Sequence, residues 1–310
     1  MELIGFNQTL GQLVSLAKER RLSHALIFTG IEGIGKKRLA LELARFLLER
    51  ESLEQLDHYP DFLYLEEKNT IGVEEIKKVL QFVVERPLFG KRKVLLINDA
   101  HKMNSQAQNK ILKTLEEPPD FLTFLLVSSA PGRLLDTIRS RVVEYPLKPH
   151  SEEAIYQALE GYKEEERHLA ARFSGGSFQR AFAIVEDEEL RKLFFFPEKI
   201  FDALQEGNRL KLLDYAKEYG KDKEMASLLM EHCMLWLRDL ALVGENRSTQ
   251  NLYYQDRLNV LIRHSQSLGR NKIPHFRQEL EKGQKRLAAN CNPEILLWNC
   301  LMQLQEGMNQ

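Results

Sequence analysis

Between His24 and Leu147 the chain alternates short, nearly unbroken apolar runs with stretches of helical periodicity, and this alternation restricts the fold more than any other feature. "HALIFTG" (24–30), "DFLYLE" (61–66), "KVLLIN" (93–98), "FLTFLLVS" (121–128) and "VVEYPL" (142–147) read as strands. Between them, apolar residues recur at helical spacing: Leu10, Leu13, Val14 and Ala17 before the first strand, then Lys36 to about Leu48. Val73, Ile76, Val79, Leu80 and Val83 mark a further helix, and Asn104 to Glu117 another, stopped by Pro118 and Pro119. Strands with almost no polar interruption are buried on both faces. Strand and helix in strict turn therefore predict an α/β fold, a parallel sheet with helices on both sides.

Beyond Pro149 the strand-type runs stop, and helix follows helix, punctuated by "SGGS" (174–177), "FFFPEK" (194–199) and "NKIP" (271–274). At 310 residues the chain exceeds one ordinary core. The expected division is 1–148, 149–190 and 191–310, the second boundary being the less sharply marked.

A formal net charge of −1 excludes a chain that binds nucleic acid by bulk charge. Lys91, Arg92, Lys93, Lys110 and Lys113 read mainly as solvated faces. No apolar run reaches the roughly 18 residues needed to cross a bilayer, and "MELIGFNQTL" lacks the pattern of a secretory signal. The expectation is a cytoplasmic protein without membrane contact. Cys233, Cys291 and Cys300 have neither disulfide-framework nor zinc spacing.

The chemistry concentrates in "TGIEGIGKKRLA", Thr29 to Ala40. Gly30, Gly33, Gly35 and Lys36 fit G-x-x-x-x-G-K between a strand and a helix. Such glycines let backbone N–H groups curl around a phosphate, and the helix N-terminus adds its positive end. Hydrolysis needs a hydroxyl after the lysine to hold Mg²⁺, and that position is Lys37, a cation with no acceptor. An acidic pair should follow the buried strand "KVLLIN"; the chain instead has Asn98-Asp99, a neutral side chain and a carboxylate one methylene short. Three departures at one metal centre predict no independent ATPase. They leave a degenerate loop, weakly occupied by ATP or ADP or empty, with no metal.

With these motifs stand "HYPDFLYL" (58–65), "NKILKTLEEPP" (109–119), "LLDTIRSRV" (134–142) and "ANCNPEILLWNCLMQL" (289–304). In order and spacing they resemble bacterial DNA polymerase III clamp-loader subunits, and among these the delta-prime subunits. The resemblance implies an AAA+ α/β module, a small helical lid and an all-α C-terminal collar domain. It also implies a hetero-pentamer with tau/gamma and delta subunits within the DNA polymerase III holoenzyme, loading a sliding clamp onto primed DNA. The family's Ser-Arg-Cys motif reads Ser140-Arg141-Val142 here, so Arg141 is the implied arginine finger, acting on a neighbour's ATP. Ser128 or Ser129 and Arg180 match the family's two sensor positions. Many relatives carry four zinc-binding cysteines before the "HPD" segment; "LLERESLEQLDHYPD" has none, so no zinc is expected. The alternative left open is an active AAA+ ATPase such as the tau/gamma motor subunit, against which Lys37, Asn98 and Asp99 count.

Overall fold

The computed structural model describes residues 5–245, 252–289 and 291–309. Met1–Ile4 of the N-terminal stretch and Asn290 of the quoted C-terminal motif lie outside these. The chain divides into two compact units, Met1–Phe182 and Ala183–Gln310.

In the first unit, α1 (Asn7–Lys18), β1 (Ala25–Thr29), α2 (Lys36–Leu47), β2 (Phe62–Leu65) and α3 (Val73–Val84) come first. They are followed by β3 (Lys93–Ile97), α4 (Ser105–Glu116), β4 (Leu122–Ser128), α5 (Asp136–Arg139) and β5 (Val143–Pro146). All strand pairs are parallel, in the order β2-β3-β4-β1-β5. All five apolar runs are therefore strands, and the α/β class expected from their alternation is the one observed.

Side chains alternate across each strand, so one sheet feeds two cores. Leu26, Phe28, Val94, Leu96, Leu125 and Val127 pack with Leu13 of α1 and Leu39 and Leu43 of α2. Ile27, Leu95, Ile97, Phe124 and Leu126 pack with Ile76 and Val79 of α3 and Ile111 and Leu115 of α4. Each such fully buried aliphatic side chain contributes roughly 1.5–3 kcal/mol relative to exposure. Helix ends are set locally: the Asn104 side chain accepts from Ala107 N at 2.9 Å, and Glu75 from Gly72 N at 2.9 Å.

Lys93 departs from the solvated face expected for the basic residues around it. It is 1% exposed, and its Nζ donates to Phe82 O at 2.8 Å and Glu85 O at 3.2 Å while lying over the Phe82 ring. Burial holds its pKa below the ordinary lysine value, against the pull of Glu85 and Asp61. Asp61, wholly buried, accepts from the backbone N–H of Leu88, Phe89 and Gly90 at 2.7, 2.9 and 3.1 Å. Burial raises the Asp61 pKa, but those three donors outweigh it and hold it low. Two buried charges thus pin a surface segment on which Leu88 and Phe89 are 72% and 75% exposed.

After β5, the described residues form helices and connections only. α6 (Glu152–Ala158) and α7 (Glu164–Phe173) complete the first unit, and the division falls within α8 (Phe178–Glu186). The second unit holds α9 (Glu188–Phe194), α10 (Phe196–Gln205), α11 (Arg209–Tyr219), α12 (Lys223–Gly244), α13 (Leu258–Leu268), α14 (Ile273–Ala288) and α15 (Pro293–Asn309). Its core carries a polar thread. Trp236 Nε1 donates to His264 Nδ1 at 3.3 Å, His264 Nε2 meets Asp202 at 2.9 Å, and Asp239 accepts from Tyr254 N at 2.9 Å. Among the described residues no helix is long and apolar enough to cross a membrane.

Candidate functional site

The glycine loop runs from the carboxyl end of β1 into α2, where open parallel sheets receive ligands. Gly30, Gly33 and Gly35 all have positive φ (146°, 75° and 99°). At Gly33 the requirement is doubly strict, because a Cβ there would strike Ser177 Oγ and come within 2.7 Å of Gln179 Cβ. The residues after β5 close over the loop. Gln179 N donates to Gly33 O at 3.2 Å, and a His150 ring nitrogen meets Ile34 O at 2.9 Å. His150 itself lies between Phe6 and Phe178, with ring centroids 4.7 and 4.2 Å away.

Lys36 is 6% exposed and turned onto its own loop, its Nζ donating to Gly30 O at 3.0 Å and Ile31 O at 2.6 Å. Burial lowers its pKa, partly offset by the charges of Asp99 and Glu32.

Gly33, Gly35, Lys36, Lys37, Asn98 and Asp99 line one cavity of about 510 Å³. Its far wall holds a residue that sequence reading missed, Glu66. Lys37 Nζ meets Glu66 Oε2 at 2.9 Å, Asn98 Nδ2 donates to Oε1 at 2.5 Å, and Tyr64 OH donates to Oε2 at 2.5 Å. Burial pushes the Glu66 pKa up, but the bonds from Tyr64, Lys37 and Asn98 outweigh it and keep the carboxyl below its ordinary range. The parallel register Leu65↔Ile97 is what sets Glu66 beside Asn98. Asp99 turns elsewhere: in left-handed backbone (φ 48°) it pairs with Lys102 at 2.9 Å.

The sensor positions are placed less centrally. Ser128 is buried, its Oγ 3.3 Å from His101 Nδ1 and accepting from Ala130 N at 3.2 Å. Ser129 is half-buried at the end of that strand, and neither it nor the half-buried Arg180 lines the cavity.

Arg141 lies at the opposite end of the strands. It precedes β5 and, with His24 just before β1, flanks a second cavity of about 540 Å³ lined also by Leu115, Glu116 and Ser140. Its Nη2 meets Glu116 Oε1 at 2.6 Å, and its Nη1 donates to Thr137 O at 2.8 Å and Ser140 Oγ at 3.2 Å. Strands rise about 3.3 Å per residue, so the full length of β1 separates this guanidinium from the glycine loop. Arg141 cannot reach its own chain's glycine loop.

A family model described as DNA polymerase III, delta subunit, matches residues 5–151. The delta' subunit of DNA polymerase III from Escherichia coli K12 is 32% identical, over 95% of this chain and 92% of that protein. The delta' subunit of Bacillus subtilis 168 is 26% identical, over 95% and 94%. The tau/gamma subunit of Haemophilus influenzae is 31% identical, but over 51% of this chain and 25% of its own length, and the chain spans 32% of Escherichia coli tau. In fold, the chain is similar to a DNA polymerase III gamma subunit-related protein from Thermotoga maritima, with a TM-score of 0.54 over 96% of this chain and 99% of that one, at 18% identity. With a full-length delta' relative above 30% identity, and the sheet and helices that its motifs imply, the chain belongs to the delta' subunit family of DNA polymerase III.

Proposed function

We propose that this chain is the fixed, non-hydrolysing member of a clamp loader. In this reading it joins tau/gamma and delta subunits in a hetero-pentamer that opens a sliding clamp and places it on primed DNA. Residues 1–148 form the AAA+ α/β domain, 149–190 its lid, and 191–310 the collar through which the subunits assemble.

The observation that carries this reading is the separation of Arg141 from its own glycine loop by the length of the strands. A guanidinium there serves only a phosphate brought by another chain. Planar, permanently charged and rich in donors, it neutralises the charge that builds on a γ-phosphate during transfer.

The chain's own cavity does not fit a magnesium nucleotide. The position after Lys36 carries an ammonium rather than a hydroxyl; the carboxylate that meets it, Glu66, is spent on Lys37, Asn98 and Tyr64, and Asp99 is paired with Lys102. Lys36 is engaged by loop carbonyls that a phosphate would have to displace. Ser129 and Arg180, in a subunit that turns over no nucleotide, act as structural residues, and no hydrolytic step is assigned to this chain.

The test is steady-state ATP turnover. The isolated chain shows none that depends on Mg²⁺, and in the assembled loader Arg141→Ala lowers turnover by about 10³-fold at the site it serves, without dissolving the complex. Unchanged turnover at that site would remove the finger assignment. Magnesium-dependent hydrolysis by the lone chain would restore the motor-subunit reading.

A further inference from the structure

The ion pair between Arg141 and Glu116 has a geometry that a chance surface contact would not need. Glu116 is the last residue of α4, where the helix's negative end disfavours a carboxylate. Its oxygen nevertheless sits 2.6 Å from Arg141 Nη2, and the end of α4 is held in place by a His24 ring nitrogen 3.3 Å from Leu115 O. The other terminal nitrogen, Nη1, is tied inward to Thr137 O and Ser140 Oγ. Glu116 therefore covers the edge of the guanidinium that is left for an external anion. Both groups remain partly exposed, at 33% for Arg141 and 46% for Glu116, so an incoming ligand can compete.

We infer that Glu116 is a positioning residue that holds Arg141 in reserve, competing with a neighbouring subunit's nucleotide phosphate for the same N–H donors. The inference rests on the finger reading of Arg141 given above. Carboxylate and phosphate are both anionic acceptors of charge-assisted hydrogen bonds, so the guanidinium passes from one to the other without being stripped bare. A polyphosphate carries more charge than a carboxylate and wins once docked. It also repels Glu116, which must swing clear. Until then the finger is occupied.

The experiment measures ATP turnover in the assembled loader with Glu116→Gln and Glu116→Ala, each alone and combined with Arg141→Ala. Removing the competing charge should lower the apparent KM for ATP about fivefold, the low end of coupling between two sites, while turnover at saturating ATP persists. With Arg141→Ala in place, neither Glu116 variant should shift KM. An unchanged KM for the Glu116 variants with Arg141 intact, or an equal shift in the Arg141→Ala loader, would overturn the role of Glu116. The finger reading is decided separately, by whether Arg141→Ala alone lowers saturating turnover.

Discussion

Lys37 and Glu66, 29 positions apart, meet at 2.9 Å in the cavity beside the glycine loop. The ammonium that follows Lys36 is thereby neutralised by a carboxylate at the carboxyl end of β2. The substitution is not an isolated loss but half of a pair, completed by Asn98 and Tyr64.

Glu66→Ala leaves donors on Lys37, Asn98 and Tyr64 without their acceptor. The ion pair, with both partners more than a third exposed, contributes little by itself. The unmet hydrogen bonds should cost about 1–2 kcal/mol, read as a lower denaturant midpoint, with Glu66→Gln costing less. Because folding depresses this carboxyl's pKa, its contribution is present above the ordinary glutamate range and is lost on acidification through the folded value.

Gly33→Ala and Gly11→Ala should move stability in opposite directions. At Gly33 the backbone is left-handed and the space is taken by Ser177 and Gln179, so alanine should cost about 1–3 kcal/mol. At Gly11, inside α1 where a methyl group would meet nothing within 4 Å, alanine should stabilise by about 0.5–1 kcal/mol. Chemical denaturation of the two variants beside the parent measures both.

Asp239 should give the opposite pH sign to Glu66. Burial in the second unit lifts its carboxyl from 3.8 to about 6, against the hydrogen bond from Tyr254 N and the Arg238 charge. A raised folded pKa means stability fully present below the unfolded value and lost as pH rises through the folded one. Relative to Asp239→Asn, the parent should therefore gain on the order of 3 kcal/mol between about pH 7 and pH 4. Denaturation midpoints of the pair across that window measure it, and a constant difference would contradict it.

The strands were legible because apolar runs flanked by glycine, proline or charge admit few other structures. That Lys36, Asn98 and Asp99 line one cavity was legible because parallel strands bring the carboxyl ends of β1 and β3 to the same edge of the sheet. Glu66 was not, since its meeting with Lys37 depends on which strands are neighbours. The "DFLYLEE" run could have signalled it, once β2 is set beside β3 with parallel ends. Lys93 stands in a basic run of the sequence, but the strand pleat turns it inward to two backbone carbonyls. Glu116 stood in the quoted "NKILKTLEEPP" with no role, and only the return of the chain through α5 brings Arg141 against it.

The pinning of residues 88–90 by Asp61, with Lys93 tied to the end of α3, has a thermal consequence. A surface segment ordinarily keeps much of its chain entropy until something touches it, and loses it then. Here that loss occurs when the domain folds, with hydrogen bonds to one buried carboxylate offsetting it. The backbone that carries the exposed Leu88 and Phe89 is consequently held by the folded domain itself, before anything touches those side chains.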